Sequence, residues 1–526
     1  MQRSEPGIPE NSWFAFLLAT AVALLWLAPL GSSFWLDETG TYWVVKDGLA
    51  AALSRSVSWP GQSPLYSLIA WAALAIGGPH EAALRLPSIV FMAAAALLLY
   101  RLTARVFDRE TAPIACLVFV CSEPVAFAAG DARPYALGVC AVLAAALMLV
   151  RWLDTGRARF AIGYAAASAV VVHANYLFAT PLIVLALYAL SRVRSEDRAR
   201  RALRLRVLIG AWIAAALLAA PAMAKLLDMY RARAVHASAD IPVFADLLAA
   251  LAPSALVGSI ALGFLAAWAF QVGQTSRSAA DVHVGLPPLT SAPEAGVGGS
   301  ACPEGPHWRS APLTQSLALA AGWALAPPLF CYIVSVKTAV GLFVPRYYMT
   351  SAPALAMLAG YLIRSHASVA SRRLIATAVF FGAILSFGTL HHGEEDWRGA
   401  MSAIRATAGA DMPVLAAAGF VEAADPKALD DPNLRETLFA PQTLYPAGGE
   451  FVRLPFRLDS KTQPYTEAAL AAALAHRDRF IFVGRWQGLT FEPWLRGRLA
   501  ARGFRSQSLG NFGRVGAYLF TTDAPR

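Results

Sequence analysis

A chain of 526 residues that is 57% hydrophobic and 15% charged, with a mean hydropathy of +0.50, is not a soluble domain. The net charge of +10 would suit nucleic acid in a soluble protein. Here most Lys and Arg lie in short links between apolar runs, where they set orientation in a bilayer, so nucleic acid is excluded as a partner. The five cysteines form no framework. Cys116, Cys121, Cys140 and Cys331 lie in or beside apolar segments and Cys302 in a linker, a pattern of neither disulfides nor a zinc site.

The first apolar run, 13–30, has about the length needed to cross a bilayer, and nothing before it reads as a cleaved signal. Phe34-Trp35-Leu36-Asp37-Glu38 follows directly. Two adjacent carboxylates thus stand just outside the hydrocarbon, among aromatic residues that favour the headgroup level. Their plainest use is as the first turn of a helix running to about Leu53. The run 64–76 is too short to span and opens with Ser63-Pro64, so it reads as an interfacial or re-entrant helix.

Further runs fall at about 86–100, 111–129, 134–150, 160–178, 177–190, 207–224, 255–272, 313–335, 350–363 and 374–390. If 64–76 does not span and the N-terminus is cytoplasmic, all the basic links face inside: Arg101 to Arg109, Arg151 to Arg159, the cluster 192–206, and Arg364 to Arg373. Were 64–76 a span, every later loop would flip. The expectation is therefore a mainly α, polytopic membrane protein with eleven transmembrane helices and interfacial helices on its outer surface. The same parity puts Asp37-Glu38, Asp131-Ala132-Arg133, His173, the loop 225–254 and Arg346 on that outer side.

Residues 273–312 are rich in Gly, Ser, Pro and Ala and read as a disordered inner linker. From 391 onward hydropathy falls, and strand-like pieces appear at 414–417, 480–484 and 515–520, with helical stretches at 397–407 and 466–476. The chain thus divides into a membrane domain, 1–390, and a small outer α/β domain, 391–526. Glu123, inside an apolar run, lines a cavity or pairs at the outer end. The cluster His391, His392, Glu394, Glu395 and Asp396 reads as solvated charge after the last span rather than as a metal site.

Taken with the acidic pair, the loop Asp131-Ala132-Arg133-Pro134-Tyr135-Ala136-Leu137 resembles the GT-C superfamily of polyprenyl-phosphate-dependent glycosyltransferases. The likeness is to the bacterial branch related to protein O-mannosyltransferases and lipid A aminoarabinose transferases. It continues through Ser63-Pro64-Leu65-Tyr66, Glu81-Ala82-Ala83-Leu84-Arg85-Leu86-Pro87-Ser88, Arg346-Tyr347-Tyr348 and Asp396-Trp397-Arg398-Gly399-Ala400. Family members often carry His-Pro-Pro where this chain has Gln62-Ser63-Pro64, and Glu in place of Asp131. His173-Ala174-Asn175-Tyr176 is similar to a stretched form of the family's Thr-His-Tyr.

The resemblance implies transfer of a hexosyl or pentosyl unit from a polyprenyl-phosphate donor to an envelope glycan, lipid or protein, lipopolysaccharide among them, at the outer face of the inner membrane. Asp37 would be the general base, by analogy with the family's acidic pair, and Glu38 would position the acceptor or hold the loop. The leaving phosphate gains negative charge, which a fixed guanidinium matches best. Arg346 is the first candidate, with Tyr347 beside it, and Arg133 the second. Asp131, Tyr135, His173 and Tyr66 are expected to position substrate or loop. No cofactor is expected, although the acidic pair leaves room for a divalent ion. The alternatives are a polyprenyl-lipid flippase, which needs ionisable groups at mid-membrane and broken helices, and a non-enzymatic envelope-assembly protein.

Overall fold

The computed structural model describes residues 10–58, 62–231, 240–281, 312–338, 340–387, 392–409, 412–475, 477–485 and 490–522. A helix stands at each of the eleven apolar runs. Seven of these helices are long and apolar enough to cross a membrane, or nine if each of two bent pairs is one span. Ala158–Ala174 and Ala352–His366 complete the set as shorter helices. Pro64–Gly77 is the expected short helix, with Ser63 accepting the Tyr66 N–H as its N-cap.

The bends have a local cause. Thr111–Val120 and Glu123–Ala129 meet at 68°, and Phe244–Leu251 and Ser254–Ala269 at 50°. Each break lies beside a proline, Pro124 or Pro253, whose missing N–H cannot continue the ladder. At the centre stands Tyr135–Thr155, buried over 78% of its most apolar window. It packs against Ala158–Ala174 on one side and Glu81–Val106 on the other.

Two expectations are corrected. The helix expected from Asp37 to about Leu53 is a pair, Leu36–Val45 and Leu49–Ser58, separated at Gly48, whose φ of 95° carries the chain through a turn closed to most side chains. Of the stretch expected as a linker, 273–312, the first nine positions instead continue the helix Ser254–Asp281. No proline falls within 273–281, so the helix can run on past its apolar stretch; 282–311 lie outside the described residues.

The C-terminal part is built on one five-stranded sheet: β1 (Pro413–Ala417), β2 (Glu450–Leu454), β3 (Arg479–Arg485), β4 (Phe504–Ser508) and β5 (Val515–Thr522), in the order β2-β1-β3-β5-β4. β2, β1 and β3 run parallel, whereas β5 is antiparallel to β3 and β4. Strand alternation assigns the two faces. Val414, Ala416, Ile481 and Val483 face one apolar cluster, with Trp397 and Met401 of the helix Trp397–Thr407. Leu415, Ala417, Phe480 and Phe482 face the other, with Phe491 and Leu495 of Phe491–Ala500. Ala440 and Phe420, also from the C-terminal part, pack with Phe34, Trp43 and Tyr66 of the membrane part.

Candidate active site

The first span ends in a 3-10 turn, Ala28–Gly31, where the helical ladder runs out and the Pro29 carbonyl still accepts the Ser32 N–H, at 3.0 Å. Arg85, in the first turns of Glu81–Val106, supplies further donors. Its Nη1 donates to the carbonyls of Pro29 (3.1 Å), Leu30 (2.9 Å) and Ser32 (2.8 Å). The same guanidinium grips Glu38 in a two-pronged pair, Nε to Oε1 at 2.8 Å and Nη2 to Oε2 at 2.5 Å.

Glu38 has further partners. Oε2 accepts the Trp35 N–H at 3.2 Å, reaching back from the third residue of Leu36–Val45 to the residue that precedes the helix, and Oε1 accepts the Ala132 N–H at 2.8 Å. With 0% exposure, Glu38 ties the loop at 32–35 to the loop at 130–134 and presents nothing to a substrate. Of its two expected roles, the geometry favours holding the loop.

Asp131 lies beside it, also buried. Its Oδ1 accepts the Trp35 Nε1–H at 3.0 Å and stands 3.6 Å from His392 Nε2, while Oδ2 has no partner. Burial, joined by the charge of Glu38, raises the Asp131 pKa against the pull of His392 and Trp35. Tyr66 is reached through Ser88, whose hydroxyl donates to the Asp131 carbonyl at 2.6 Å and lies 3.2 Å from the phenol. Tyr66 is 2% exposed, so it supports the loop from behind.

Asp37 turns the other way. Half-buried, it lines a cavity of about 640 Å³ with Arg133, Tyr135, Tyr347 and His173. The Arg133 Nη1 donates to Thr41 Oγ1 at 3.4 Å, one turn along the acidic helix. Arg346, on the short helix Pro345–Tyr348, stands over the rings of Trp35 (5.9 Å) and Tyr347 (5.3 Å). Burial works against the charge of Arg346, but the facing phenols of Tyr135 and Tyr347 and the Asp37 carboxylate outweigh it and raise its pKa. Arg133 and Arg346 each keep a buried Nε–H with no hydrogen-bond partner. His173 is engaged at the rim, with Nε2 2.9 Å from the Leu218 carbonyl oxygen.

On the far side of Arg346 a second cavity, about 750 Å³, is lined by Glu123, Asp240, Asp246 and Tyr348 among apolar side chains. Glu123, exposed in the first turn after the 68° break, is therefore a cavity residue.

Glu38, Asp131 and His392 bring one possible ligand atom each within 4.8 Å of one another. The Glu38 oxygens already serve Arg85 and two amides, which leaves Asp131 Oδ2 and His392 Nε2 open. Two open donors fall short of the three protein ligands of a catalytic zinc site. The acidic pair itself diverges, Glu38 inward and Asp37 to the cavity.

Arg85 and Trp35, quoted only as parts of motifs, complete the site together with His392 and Glu395, which were expected as solvated charge but are 5% and 4% exposed because they pack against the loop before the acidic helix. A signal existed for Arg85, because an arginine opening an apolar span needs a buried partner. His392 and Glu395 meet the first loop from some 360 positions away, a contact no local pattern encodes.

Residues 61–224 match the family model described as dolichyl-phosphate-mannose-protein mannosyltransferase. No curated protein matches the chain in sequence. Two crystal structures of ArnT from Cupriavidus metallidurans, one bound to undecaprenyl phosphate and one in the apo state, share the fold. Each has a TM-score of 0.53 at 12% identity, covering 97% of this chain and 98% of that one. The archaeal oligosaccharyltransferase AglB from Archaeoglobus fulgidus, in complex with an inhibitory peptide and a dolichol-phosphate, aligns with a TM-score of 0.46 at 12% identity, over 98% of this chain and 75% of that one. The fold is thus shared with ArnT, in keeping with the fold that the resemblance of the motifs implied.

Proposed function

We propose that this chain is an integral-membrane glycosyltransferase that moves a sugar from a polyprenyl-phosphate donor to a cell-envelope acceptor at the outer face of the membrane. The observation that carries the reading is a cavity-facing carboxylate, Asp37, near two guanidiniums that retain unpartnered donors: Arg133 in the same cavity, and Arg346, which lines the second cavity and feels the Asp37 charge. Both cations sit beside apolar cavity walls between helices, where a lipid tail can lie and the phosphate head is held at the rim. The likeness of residues 61–224 to a lipid-phosphate-sugar-dependent family, and a fold shared with a protein crystallised with undecaprenyl phosphate, support it.

In this reading Asp37 accepts the proton of the acceptor hydroxyl as its oxygen attacks the anomeric carbon. The bond between that carbon and the phosphate oxygen breaks, and the lipid phosphate leaves with the electron pair. Arg346 and Arg133 meet the charge that grows on the leaving oxygens, with Tyr347 and Tyr135 lining the path. Asp131 and Tyr66 position the loops, and His173 closes the rim. The chemistry belongs to the membrane domain, 1–390, with the N-terminus cytoplasmic and the domain 391–526 outside.

The test is transfer of labelled sugar from a polyprenyl-phosphate donor by the purified protein in detergent, paired with mass spectrometry of envelope glycans and lipids with and without the gene. Failure to transfer sugar from any such donor overturns the reading. A flippase is the second reading, favoured by the helix broken at 68° with Glu123 beside a cavity. It requires that labelled lipid cross sealed vesicles without product forming.

A further inference from the structure

The residue that starts the acidic helix from outside comes from the other end of the chain. Leu36 is the first residue of Leu36–Val45, and its N–H has no acceptor within the helix. It donates instead to Glu395 Oε2 at 3.1 Å, across a sequence separation of 359. Glu395 is 4% exposed, and it is itself held: Oε2 accepts the Trp397 Nε1–H at 2.9 Å and Oε1 pairs with Arg485 Nε of β3 at 2.5 Å.

The backbone around Glu395 is fixed by the sheet of the C-terminal part. The Asp396 N–H donates to the Phe512 carbonyl at 3.1 Å and the Arg514 N–H to the Glu394 carbonyl at 2.7 Å, on the turn that leads into β5. Getting there costs strain. Glu394, with φ 57°, is the one non-glycine residue in the left-handed region among the described residues, and Gly393 beside it has φ 79°. A Cβ on Gly393 would stand 2.7 Å from Trp35 Cβ, so the two backbones meet at a distance only glycine allows. Two further bonds stitch the same seam: the His392 N–H to Ser32 Oγ at 3.0 Å and the Arg398 N–H to Ser33 Oγ at 3.1 Å.

We infer that Glu395 is a positioning residue for Asp37, and that the C-terminal domain contributes to catalysis by capping the helix that carries the base. The inference rests on the assignment of Asp37 made above. A carboxylate at a helix N-terminus satisfies an orphan donor and complements the helix dipole. Removing it leaves the Leu36 N–H buried and unpaired, the first turn re-forms elsewhere, and Asp37, one residue on, leaves its place at the cavity. Because the donor cations lie on other elements, donor binding is spared.

The experiment uses the full chain in detergent. Glu395→Ala is expected to lower kcat by roughly 10- to 100-fold, the scale of a misplaced catalytic group, with KM for the lipid donor nearly unchanged. Glu395→Gln keeps the shape and one acceptor for Leu36, and is expected to restore most of the turnover. In the Asp37→Asn background, Glu395→Ala should cost nothing more, since the group it positions is already gone. Hydrogen exchange of the segment 34–40 should quicken in Glu395→Ala relative to wild type.

An equal loss in the Asp37→Asn background, or a rise in donor KM as the main effect, would overturn the inference. Unchanged exchange over 34–40 would overturn the cap whatever the activity shows. The two failures stay separable: a wild-type protein that transfers no sugar removes the transferase reading, whereas an active wild type matched by Glu395→Ala removes only the positioning role.

Discussion

Asp37 and Glu38 are neighbours of the same chemical type, and the structure gives them opposite situations. A step of about 100° around a helix separates them, so one faces the cavity and the other the core. Asp37→Asn keeps shape and removes the proton acceptor, and should lower transfer by about 10²- to 10⁴-fold while the protein purifies normally. Glu38→Ala should do the reverse of that: it leaves Arg85 charged and buried without its partner, at a cost of about 3–5 kcal/mol. The measurement is the yield and thermal stability of monodisperse protein; normal yield for Glu38→Ala would remove the structural role assigned to it. Arg346→Lys retains charge but loses the flat fork for phosphate oxygens, so it should lose less activity than Arg346→Ala and more than wild type, read as donor-dependent turnover.

At the scale of elements, what the sequence made legible tracks burial on two sides. β1, β3 and β5 contain the expected stretches 414–417, 480–484 and 515–520, because strands that pack against apolar clusters are rich in apolar, β-favouring residues. β2 and β4 stand at the sheet's edges; FRSQS is mostly polar, and EFVRL sets two charges among its three apolar residues, so neither was read as a strand. The helix expected at 397–407 is Trp397–Thr407, marked by Asp396 accepting the Gly399 N–H as its cap. Phe482 tests the sheet's part in stability. Phe482→Ala removes a fully buried ring between β3 and Phe491–Ala500 and should cost about 3–5 kcal/mol, seen as an earlier thermal transition in the full chain.

For the whole molecule, the apolar runs and the basic links between them carried the architecture, since hydropathy and charge are properties of single segments. The gathering of Asp37, Arg133 and Arg346 was readable only through motifs, and the seam between residues 31–36 and 392–398 was not readable at all. Closing a loop of that length leaves no periodicity in either partner. Orientation remains the proposal that joins these levels, and it can be tested directly. A cysteine at Ser195, exposed in the basic link after Thr180–Arg194, should react only with probes on the cytoplasmic side, and one at exposed Ser460 only with probes outside. Cytoplasmic labelling at Ser460 would invalidate both the topology and the shared outer face.

The acidic helix is fastened twice, and the two fastenings are far apart in the order of synthesis. Arg85 reaches Glu38 across 47 residues, so this clasp is available once the first spans have been made. Glu395 follows Leu36 by 359 residues and depends on Arg485 and on the turn before β5, which are made later still. A nascent chain therefore carries its acidic helix clasped but unset until β3 and β5 have been made. On the proposed assignment, emergence of β5 is the event that sets Asp37 in place, and a product truncated before β5 is expected to occupy the membrane with turnover lowered as in Glu395→Ala.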